Sequence, residues 1–341
     1  MPVRKITILD VAKHAGVSQG TVSRVLSDTG YIKPSTRKKV EEAVRELKYI
    51  PNRAGRTLKT TRTGLIMLAI PDIGNNIYAG MIEGVNEVAR QYDCSMVLYF
   101  TNGTLSGELD AVRMLQEHLV DGLFLVHFSY DERLRNEIER CGAPVALCGM
   151  CTSLWAKESD KGFSTLSIDV YNGIYNMTMA MIQKGHARIG YLAGAPGIDC
   201  YQQRYKAFCD AMRDGGREIF PEDVFWHDYT KQHGRNAAAA LAARDAADRP
   251  NAIVASNDLQ ALGFWQGCVD RGMSVPGDIA LSGMDDLDEM KMLNLCSIRM
   301  MENEVGASGA HIILDQLEKG IETAPCVDLS YEPELVMRSS I

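Results

Sequence analysis

Residues 9–26 read LDVAKHAGVSQGTVSRVL, and this stretch decides how the N-terminal part of the chain folds. Its apolar residues repeat at helical spacing on both sides of a turn at Ala15-Gly16-Val17, which predicts two short helices with a small shared core. Gly16 stands where the first helix ends, a position at which a left-handed backbone favours glycine. Ser18 is placed to cap the second helix through its hydroxyl. The stretch therefore predicts a helix-turn-helix, whose second helix presents its first residues to the major groove of DNA.

The flanking residues extend this motif to a unit of three helices. Thr7 is predicted to cap the first helix, with Asp10 in its first turn. A third helix is predicted after Pro34, with Ser35 as its cap. Its apolar residues repeat at helical spacing and are Val40, Ala43, Val44 and Leu47.

The polar residues of this unit fall into two groups, those suited to contact DNA bases and those suited to contact phosphates. Arg pairs best with guanine and Gln with adenine, so we assign base contacts to Gln19, Thr21 and Arg24. Other polar groups suit phosphates, which fix register without reading sequence; these are Thr7, Ser18, Ser23 and Asn52. Gly20 lies on the same predicted face but brings no side chain to it.

Residues 51–62, PNRAGRTLKTTR, form a basic segment with one large apolar residue, Leu58. An isolated helix this short is marginal in water, and Gly55 costs it about another 1 kcal/mol. Two interpretations remain open. The segment is either a hinge that becomes helical only when paired on DNA, with the basic Arg53 toward the duplex, or a plain flexible linker.

Charge is distributed unevenly along the 341 residues, which are enough for two or three domains. Residues 1–62 contain fourteen Lys and Arg against five Asp and Glu, a net charge of +9, which leaves −17 for residues 63–341 out of the total of −8. A basic head on an acidic body is expected if the head meets polyanionic DNA and the body does not.

Composition also bounds the compartment. We find no apolar run long enough to span a membrane, no signal-peptide pattern at the N-terminus, and nine cysteines without a disulfide framework. We therefore expect a cytoplasmic protein with reduced thiols and no membrane partner.

Residues 63–341 alternate short apolar runs with amphipathic helical stretches in two successive series. Such runs with helical crossovers predict parallel sheets covered on both faces, and two series predict two similar lobes. The predicted strands of the first series are Leu65–Ile70, Met96–Phe100, Gly122–His127 and Val145–Cys148. Those of the second series are Leu166–Ile168, Ile189–Leu192, Val224–His227, Ile253–Ala255 and Ile279–Ser282. Because ligands bind at the carboxyl ends of such strands, we expect a ligand site in a cleft between the lobes.

Residues 6–62 resemble the headpiece of the LacI (lactose/galactose repressor) family of bacterial transcription regulators. The matching strings are DVAKHAGVSQGTVSRVL, YIKPSTRKKVEEAVRELKYIPN and RAGRTLKT. The resemblance implies a homodimer on a pseudo-palindromic operator in double-stranded DNA, with paired hinge helices in the minor groove and Leu58 wedged into a base step. This chain departs from the family at Gly20, where a side chain often reads a base, and at Gly55.

The resemblance continues through the body, where IPDIGNNIYAGMIEGV, AIVASNDLQALGF and VPGDIALSGMDD are similar to the family's effector-binding core. It implies an all-α helix-turn-helix headpiece (1–50), a hinge (51–62) and a two-lobed, periplasmic-binding-protein-like α/β core with parallel sheets (63–341). The implied effector is a small molecule, a sugar or related polyol, whose hydroxyls suit carboxylates, amides and Arg. The implied contacts are Asn75, Tyr78, Asp169, Arg204, Tyr229, Asn257 or Asp258, and Asp285.

Structural roles remain open for some of these residues. Asn257 and Asp258 could cap the next helix, and Tyr229 could belong to the core of a lobe. Gly149 stands where relatives often present a polar ligand contact, so this chain departs from the family there.

Two other classes of protein fit parts of the sequence. A periplasmic sugar-binding transport protein would share the body, but the basic head and the missing signal-peptide pattern argue against it. An enzyme needs a catalytic constellation, and none can be assembled; GxGxxG after a strand and GxxxxGK[ST] are absent. Cys148-Gly149-Met150-Cys151 has redox or metal spacing, but no second CxxC or His pair lies nearby. The sequence thus predicts an effector-controlled transcription regulator, a repressor, without enzyme activity, metal or cofactor.

Overall fold

The computed structural model describes residues 6–50, 62–74, 77–127, 130–149, 163–195 and 199–341. The chain divides into two compact units, Met1–Thr63 and Gly64–Ile341, which we call the headpiece and the core. Among the described residues, no helix is both long and apolar enough to cross a membrane.

The described part of the headpiece contains three helices, α1 (Ile8–Ala15), α2 (Gln19–Leu26) and α3 (Pro34–Glu46). They bury one small apolar cluster, as their helical spacing predicts. Its fully or almost fully buried members are Val11, Ala12, Val22, Val25, Val40 and Ala43.

Local capping explains where the first two helices begin and end. Thr7 accepts a hydrogen bond from the N–H of Asp10, and the Asp10 carboxylate accepts one from the N–H of Thr7 at 2.9 Å, so both ends of a capping box are present. Gly16 ends α1 with a φ of +66°, and Ser18 Oγ accepts a hydrogen bond from the N–H of Thr21 at 3.1 Å. These three predictions are confirmed.

The predicted cap of the third helix is wrong. A cap at Ser35 would make Thr36 the first helical residue, but helix α3 begins two residues earlier, at Pro34, and the flanking Lys33 makes no side-chain cap hydrogen bond. Proline suits the first helical position because its φ is preset and its missing N–H would have no helical partner there. Ser35 therefore lies inside the first turn.

One lobe of the core, the N-terminal lobe, is built on a parallel sheet of six strands. They are β1 (Leu65–Ile70), β2 (Ser95–Phe100), β3 (Gly122–His127), β4 (Val145–Gly149), β5 (Ser164–Ile168) and β11 (Asp328–Tyr331), in the order β11-β5-β4-β3-β1-β2. The helices of this lobe are α4 (Tyr78–Gln91), α5 (Leu105–Gln116), α6 (Glu132–Cys141) and α12 (Glu302–Lys319). Both faces of the sheet bury apolar clusters, as continuous apolar strands require.

The second lobe, the C-terminal lobe, is built on a parallel sheet of four strands. They are β6 (Ile189–Ala193), β7 (Val224–Trp226), β8 (Ala252–Ala255) and β9 (Ala280–Ser282), in the order β7-β6-β8-β9. Its helices are α7 (Val170–Gln183), α8 (Asp199–Asp214), α9 (Lys231–Ala242), α10 (Asp258–Val269) and α11 (Asp288–Met292). An antiparallel pair, β10 (Ser297–Arg299) with β12 (Glu334–Val336), completes the strands of the described residues.

The two-lobed α/β architecture with parallel sheets is confirmed, with one strand assigned to the wrong lobe. The sequence pattern places Leu166–Ile168 at the start of the second series. In the structure, β5 instead pairs with β4, Ala146 opposite Ser164, and so belongs to the N-terminal lobe. The alternation of strands and helices is the same on either side of a crossover, so it does not show where the chain changes lobe.

Glycines bring α4 and α12 of the N-terminal lobe into backbone contact. A Cβ on Gly84 would lie 2.2 Å from the carbonyl oxygen of Asn303, and a Cβ on Gly306 would lie 2.3 Å from that of Met81. No side chain fits at such distances, so these two positions let the helices pack at minimal separation. The two helices therefore begin next to each other, one at Tyr78 and the other at Glu302.

Candidate DNA-contact surface and effector site

The residues predicted to meet DNA lie together on the first two turns of α2. Gln19, Gly20 and Arg24 are exposed, and Thr21 and Ser23 are half-buried. Exposed Ser18 precedes them, and its hydroxyl also hydrogen bonds with Thr21 Oγ1 at 2.9 Å. This segment therefore presents donors and acceptors of several kinds on one short helix, the size of element that enters a major groove.

Gly20 is not required by packing. A Cβ there would lie 3.8 Å from Ser18 Oγ and 3.9 Å from Arg24 Nη2, both ordinary van der Waals distances, and the backbone at this residue is helical. The fold would therefore accept a side chain at position 20, and its absence affects only the surface predicted to contact DNA.

Thr7 is exposed, and its side chain is occupied by the capping box with Asp10 described above. Exposed ion pairs tie the headpiece helices, His14 to Glu46 at 2.7 Å and Arg37 to Asp28 at 2.6 Å. The remaining predicted DNA contacts lie outside the described residues and are Asn52, Arg53 and Leu58.

In the core, Asp285 is held at the carboxyl end of β9 by a strained loop. It is 5% exposed and has a φ of +124°, a region that L-residues rarely adopt. Its N–H donates to the carbonyl of Ile298 at 2.8 Å. Neither carboxylate oxygen has a hydrogen-bond partner of acceptable geometry among the described residues. A buried carboxylate fixed in this way is available to accept hydrogen bonds from a ligand.

The neighbouring Asp286 has a different task. Its carboxylate pairs with Arg299 at 2.8 Å and with Arg338, and its N–H donates to Ser297 Oγ at 3.0 Å. These contacts fix the loop through Asp286. They also leave Asp285 as the carboxylate of this pair that remains for a ligand.

The electrostatic surroundings of Asp285 favour its protonated form. Burial raises the pKa of Asp285 well above its ordinary value, and the charges of Asp258 and Glu302 raise it further. The nearby Arg204 guanidinium and the N–H of Asp258 lower the pKa by less.

Arg204, on α8, reaches the carboxyl ends of two strands. Its Nη1 donates to the carbonyl of Ser256 at 2.7 Å, and Ser256, directly after β8, donates its hydroxyl to the carbonyl of Leu192 in β6 at 2.6 Å. Arg204 is 7% exposed, and its guanidinium carbon lies 5.2 Å from the centre of the Tyr229 ring, a cation–π distance. Tyr229 is half-buried, so its ring contacts Arg204 and is also partly exposed to solvent.

Tyr78 lies in one lobe, within electrostatic reach of charged residues in the other. It begins α4 in the N-terminal lobe and is 8% exposed. Burial raises the pKa of its hydroxyl, the charges of Asp72 and Asp285 raise it further, and the charge of Arg204 lowers it. Because Asp285 and Arg204 belong to the C-terminal lobe, these interactions bring predicted residues of both lobes together. We call Tyr78, Arg204, Tyr229 and Asp285 the candidate effector site, or effector site for short.

Three other predicted contacts are used within the fold. The Asp169 carboxylate caps α7, accepting from the N–H and Nδ2 of Asn172 at 2.9 and 2.7 Å. Asn257 caps α10, accepting from the N–H of Gln260 at 3.0 Å. Fully buried Asp258 accepts from the N–H of Leu287 at 2.8 Å and from Ser297 Oγ at 2.7 Å. These hydrogen bonds give all three side chains a structural role that needs no effector. For Asn257 this role is the helix cap that the sequence left open. Asn75 lies outside the described residues.

Sequence reasoning missed His127, which explains the departure at Gly149. The two residues are opposite each other at the ends of β3 and β4. A Cβ on Gly149 would lie 2.3 Å from the carbonyl oxygen of His127 and 3.0 Å from its Nε2. The buried imidazole thus fills the space of a side chain at position 149. Since His127 ends a parallel strand, the strand-end rule was the signal that could have indicated it.

Sequence reasoning also missed Glu302. Its Oε1 is buried without a hydrogen-bond partner among the residues that the structure describes, and burial raises its pKa to about 7. Its Cβ lies 3.3 Å from where a Cβ on Gly80 would stand, next to the first turn of α4. An acidic residue at a helix start is ordinary, so the sequence held no signal that this one has a buried carboxylate oxygen.

Cys148 is the cysteine of the CxxC motif that lies within the described residues, and its side chain is buried. Burial raises the pKa of Cys148 to about 12, so the thiolate needed for redox or metal chemistry is scarce at neutral pH. Met150 and Cys151 lie outside the described residues.

Comparison with known proteins agrees with both units. Residues 7–52 match the family of bacterial regulatory proteins described as the lacI family, and residues 178–341 match a periplasmic binding protein-like domain. The HTH-type transcriptional repressor PurR of Photobacterium profundum is 30% identical over 341 residues, 98% of each chain. Catabolite control protein A of Priestia megaterium is 29% identical over 332 residues, which cover 96% of this chain and 98% of that protein.

Solved structures have the same architecture. A complex of the transcriptional regulator CelR with cellobiose is 27% identical, with a TM-score of 0.70 over 99% of this chain and 100% of that one. The lac repressor dimer bound to operator and the anti-inducer ONPF shares the fold, with a TM-score of 0.83 over 99% of both chains and 23% identity. The relatives are transcription regulators and not enzymes. From its helix-turn-helix to its two-lobed core, this chain therefore belongs to the lacI family of bacterial regulatory proteins.

Proposed function

We propose that this chain is a repressor that binds a pseudo-palindromic operator as a homodimer, and that a small molecule held between the lobes of the core sets its affinity for DNA. Within the headpiece, residues 1–50 read the operator through Gln19, Thr21 and Arg24. Residues 51–62 act as the hinge, with Leu58 as the minor-groove wedge. The observation that carries the proposal is Asp285, a buried carboxylate without a hydrogen-bond partner among the described residues, beside Arg204 and within electrostatic reach of Tyr78 from the other lobe.

The chemistry of the effector site suits a sugar or related polyol. The Asp285 carboxylate can accept hydrogen bonds from sugar hydroxyls, and Arg204 can donate hydrogen bonds to ring or hydroxyl oxygens. The Tyr229 ring can pack against the apolar face of the sugar ring. The cellobiose complex of the relative CelR supports this class of ligand.

Regulation follows from the position of the site. A ligand that contacts both lobes favours one arrangement of them, and that preference couples to DNA binding through the paired headpieces with a free energy of about 1–3 kcal/mol. The operator-bound dimer of the lac repressor supports the assembly.

A nuclease footprint on the DNA upstream of the chain's own coding sequence tests DNA binding. We expect one protected stretch with two half-sites related by two-fold symmetry, and an affinity that falls linearly with salt on logarithmic axes because phosphate contacts release counterions. The double variant Gln19→Ala, Arg24→Ala should lose the footprint, whereas Arg113→Ala, on the exposed face of α5, should keep it. Affinity that is absent or insensitive to salt would contradict the proposal.

A thermal-shift screen of sugars and polyols tests the effector site. A compound that raises the midpoint of the wild-type chain should lose this effect in Arg204→Ala, because the fixed guanidinium and its cation–π contact are removed. Arg213→Ala is the matched control, since Arg213 is on the same helix with 69% of its side chain exposed. An undiminished shift in Arg204→Ala would remove this residue from the site.

A further inference from the structure

Glu302 stands at the junction of the two lobes. It begins α12 directly beside the start of α4, because Gly84 and Gly306 let these helices touch through their backbones. Its charge acts on Asp285 of the C-terminal lobe, and its Cβ adjoins Gly80, two residues after Tyr78. A side chain in this position borders the effector site from the N-terminal lobe.

The start of a helix does not by itself account for this carboxylate. Glu302 and Glu304 both lie in the first turn of α12, where the helix dipole favours an acidic side chain. Glu304 is exposed and gains that benefit in solvent. Glu302 has Oε1 buried without a hydrogen-bond partner among the described residues, an arrangement that costs desolvation energy the helix does not require.

The charges near the site leave its carboxylates short of partners. Asp286 is matched by Arg299 and Arg338, which pair with it directly. Arg204 is the cation that acts on Asp285, and its Nη1 is bonded to the carbonyl of Ser256. Two further carboxylates, Asp285 and Glu302, both have buried oxygens without hydrogen-bond donors in the part of the chain that the structure describes.

We propose that Glu302 is a specificity-determining residue of the effector site and that, with Asp285, it selects an effector that carries a protonated amine on a hydroxyl-rich framework. The inference rests on the proposed effector site and narrows the class of its ligand. An ammonium group supplies three donors and a positive charge, so it satisfies both carboxylates at once. A neutral sugar supplies donors but adds no positive charge beside the two carboxyl groups.

Matched pairs of sugars that differ by one amine test this inference with the full chain. The probes are glucosamine with glucose, galactosamine with galactose, and mannosamine with mannose, in thermal-shift titrations slightly below neutral pH. We expect at least one amine to raise the midpoint where its neutral counterpart at equal concentration does not. Glu302→Gln should weaken binding of that amine about tenfold or more, the effect of losing a charge-assisted hydrogen bond. Glu304→Gln, on the same helix turn, should bind it as the wild type does.

Three results would overturn the inference. They are equal stabilisation by the neutral counterpart, no stabilisation by any of the amines, and unchanged amine binding in Glu302→Gln. The comparison of wild-type responses does not depend on how any variant folds. A neutral sugar that stabilises the wild type but not Arg204→Ala would overturn the amine inference and leave the proposed function standing, whereas a missing operator footprint would overturn the proposed function itself.

Discussion

Buried carboxylates set the chemistry of the core at the scale of single residues. Asp286 and Asp258 have their hydrogen bonds supplied by Arg299, Arg338, Ser297 and the backbone, so they hold the loop after β9 in place. Asp285, in the same loop, has a positive φ and oxygens without partners among the described residues. Backbone strain and unsatisfied polar atoms cost stability, and they are retained where a ligand offsets that cost.

Glu302 makes the stability of the ligand-free protein depend on pH. Burial raises its pKa from the ordinary 4.5 to about 7, so the folded state binds the proton more tightly than the unfolded state does. Stability from this group is therefore complete below about pH 4.5 and is lost as the pH rises through about 7. Glu302→Gln should match the wild type near the lower limit and exceed it by about 1–3 kcal/mol above the upper one.

Denaturant unfolding of both proteins across this pH range measures the difference. Glu318→Gln, on the same helix, is the control, since its exposed carboxyl is not among the charges that act on Glu302. If the difference in unfolding free energy between the wild type and Glu302→Gln were the same at every pH, the Glu302 carboxyl would not have a raised pKa, and the prediction would be wrong.

At the scale of elements, glycine pairs determine how closely helices approach and therefore where the site residues stand. Each lobe has one such pair of helices among its described residues. In the C-terminal lobe, a Cβ on Gly234 of α9 would lie 2.0 Å from the carbonyl oxygen of Gln260, and one on Gly263 of α10 would lie 1.9 Å from that of Lys231. In the N-terminal lobe, the contact between α4 and α12 places Tyr78 next to Glu302.

Gly84→Ala should destabilise the core by about 1–3 kcal/mol, because its Cβ would meet backbone atoms of α12 that cannot move aside independently. Gly20→Ala is the matched control. It lies in a helix with ordinary contacts around its Cβ, so alanine should leave stability unchanged or raise it by up to about 1 kcal/mol. Urea unfolding of the full chain measures both changes, and a Gly84→Ala protein as stable as the wild type would contradict the packing argument.

The elements predicted from sequence are those with strong local signals. The cap residues Thr7 and Ser18, and the apolar runs of the inner strands, specify their structure through neighbours in the chain, and they were found at or near their observed bounds. The lobe of β5 and the existence of β11 depend on pairing with strands far away in sequence, which periodicity does not contain. The same limit applies to the site. Arg204 and Asp285 followed from the family resemblance, but the burial of Glu302 and His127 depends on which elements lie against them.

At the scale of the whole molecule, the chain joins a basic headpiece to an acidic core. Residues 1–62 carry +9 and residues 63–341 carry −17, so the electrostatic attraction to DNA is confined to one end of the chain. The proposed effector site lies in the other unit and draws residues from both of its lobes. Regulation therefore requires that binding energy from the core be transmitted to the headpiece, and the proposed function depends on this coupling more than on any single contact.

Operator affinity measured with and without a stabilising ligand reports on that coupling. The full chain is titrated against a fluorescently labelled operator duplex, at constant salt, in the absence and at saturating concentration of the compound that gives the largest thermal shift. We expect the ligand to change the operator dissociation constant of the wild type by about 5–150-fold and to leave that of Arg204→Ala unchanged. An operator affinity that is the same with the ligand bound as without it would contradict the proposed coupling.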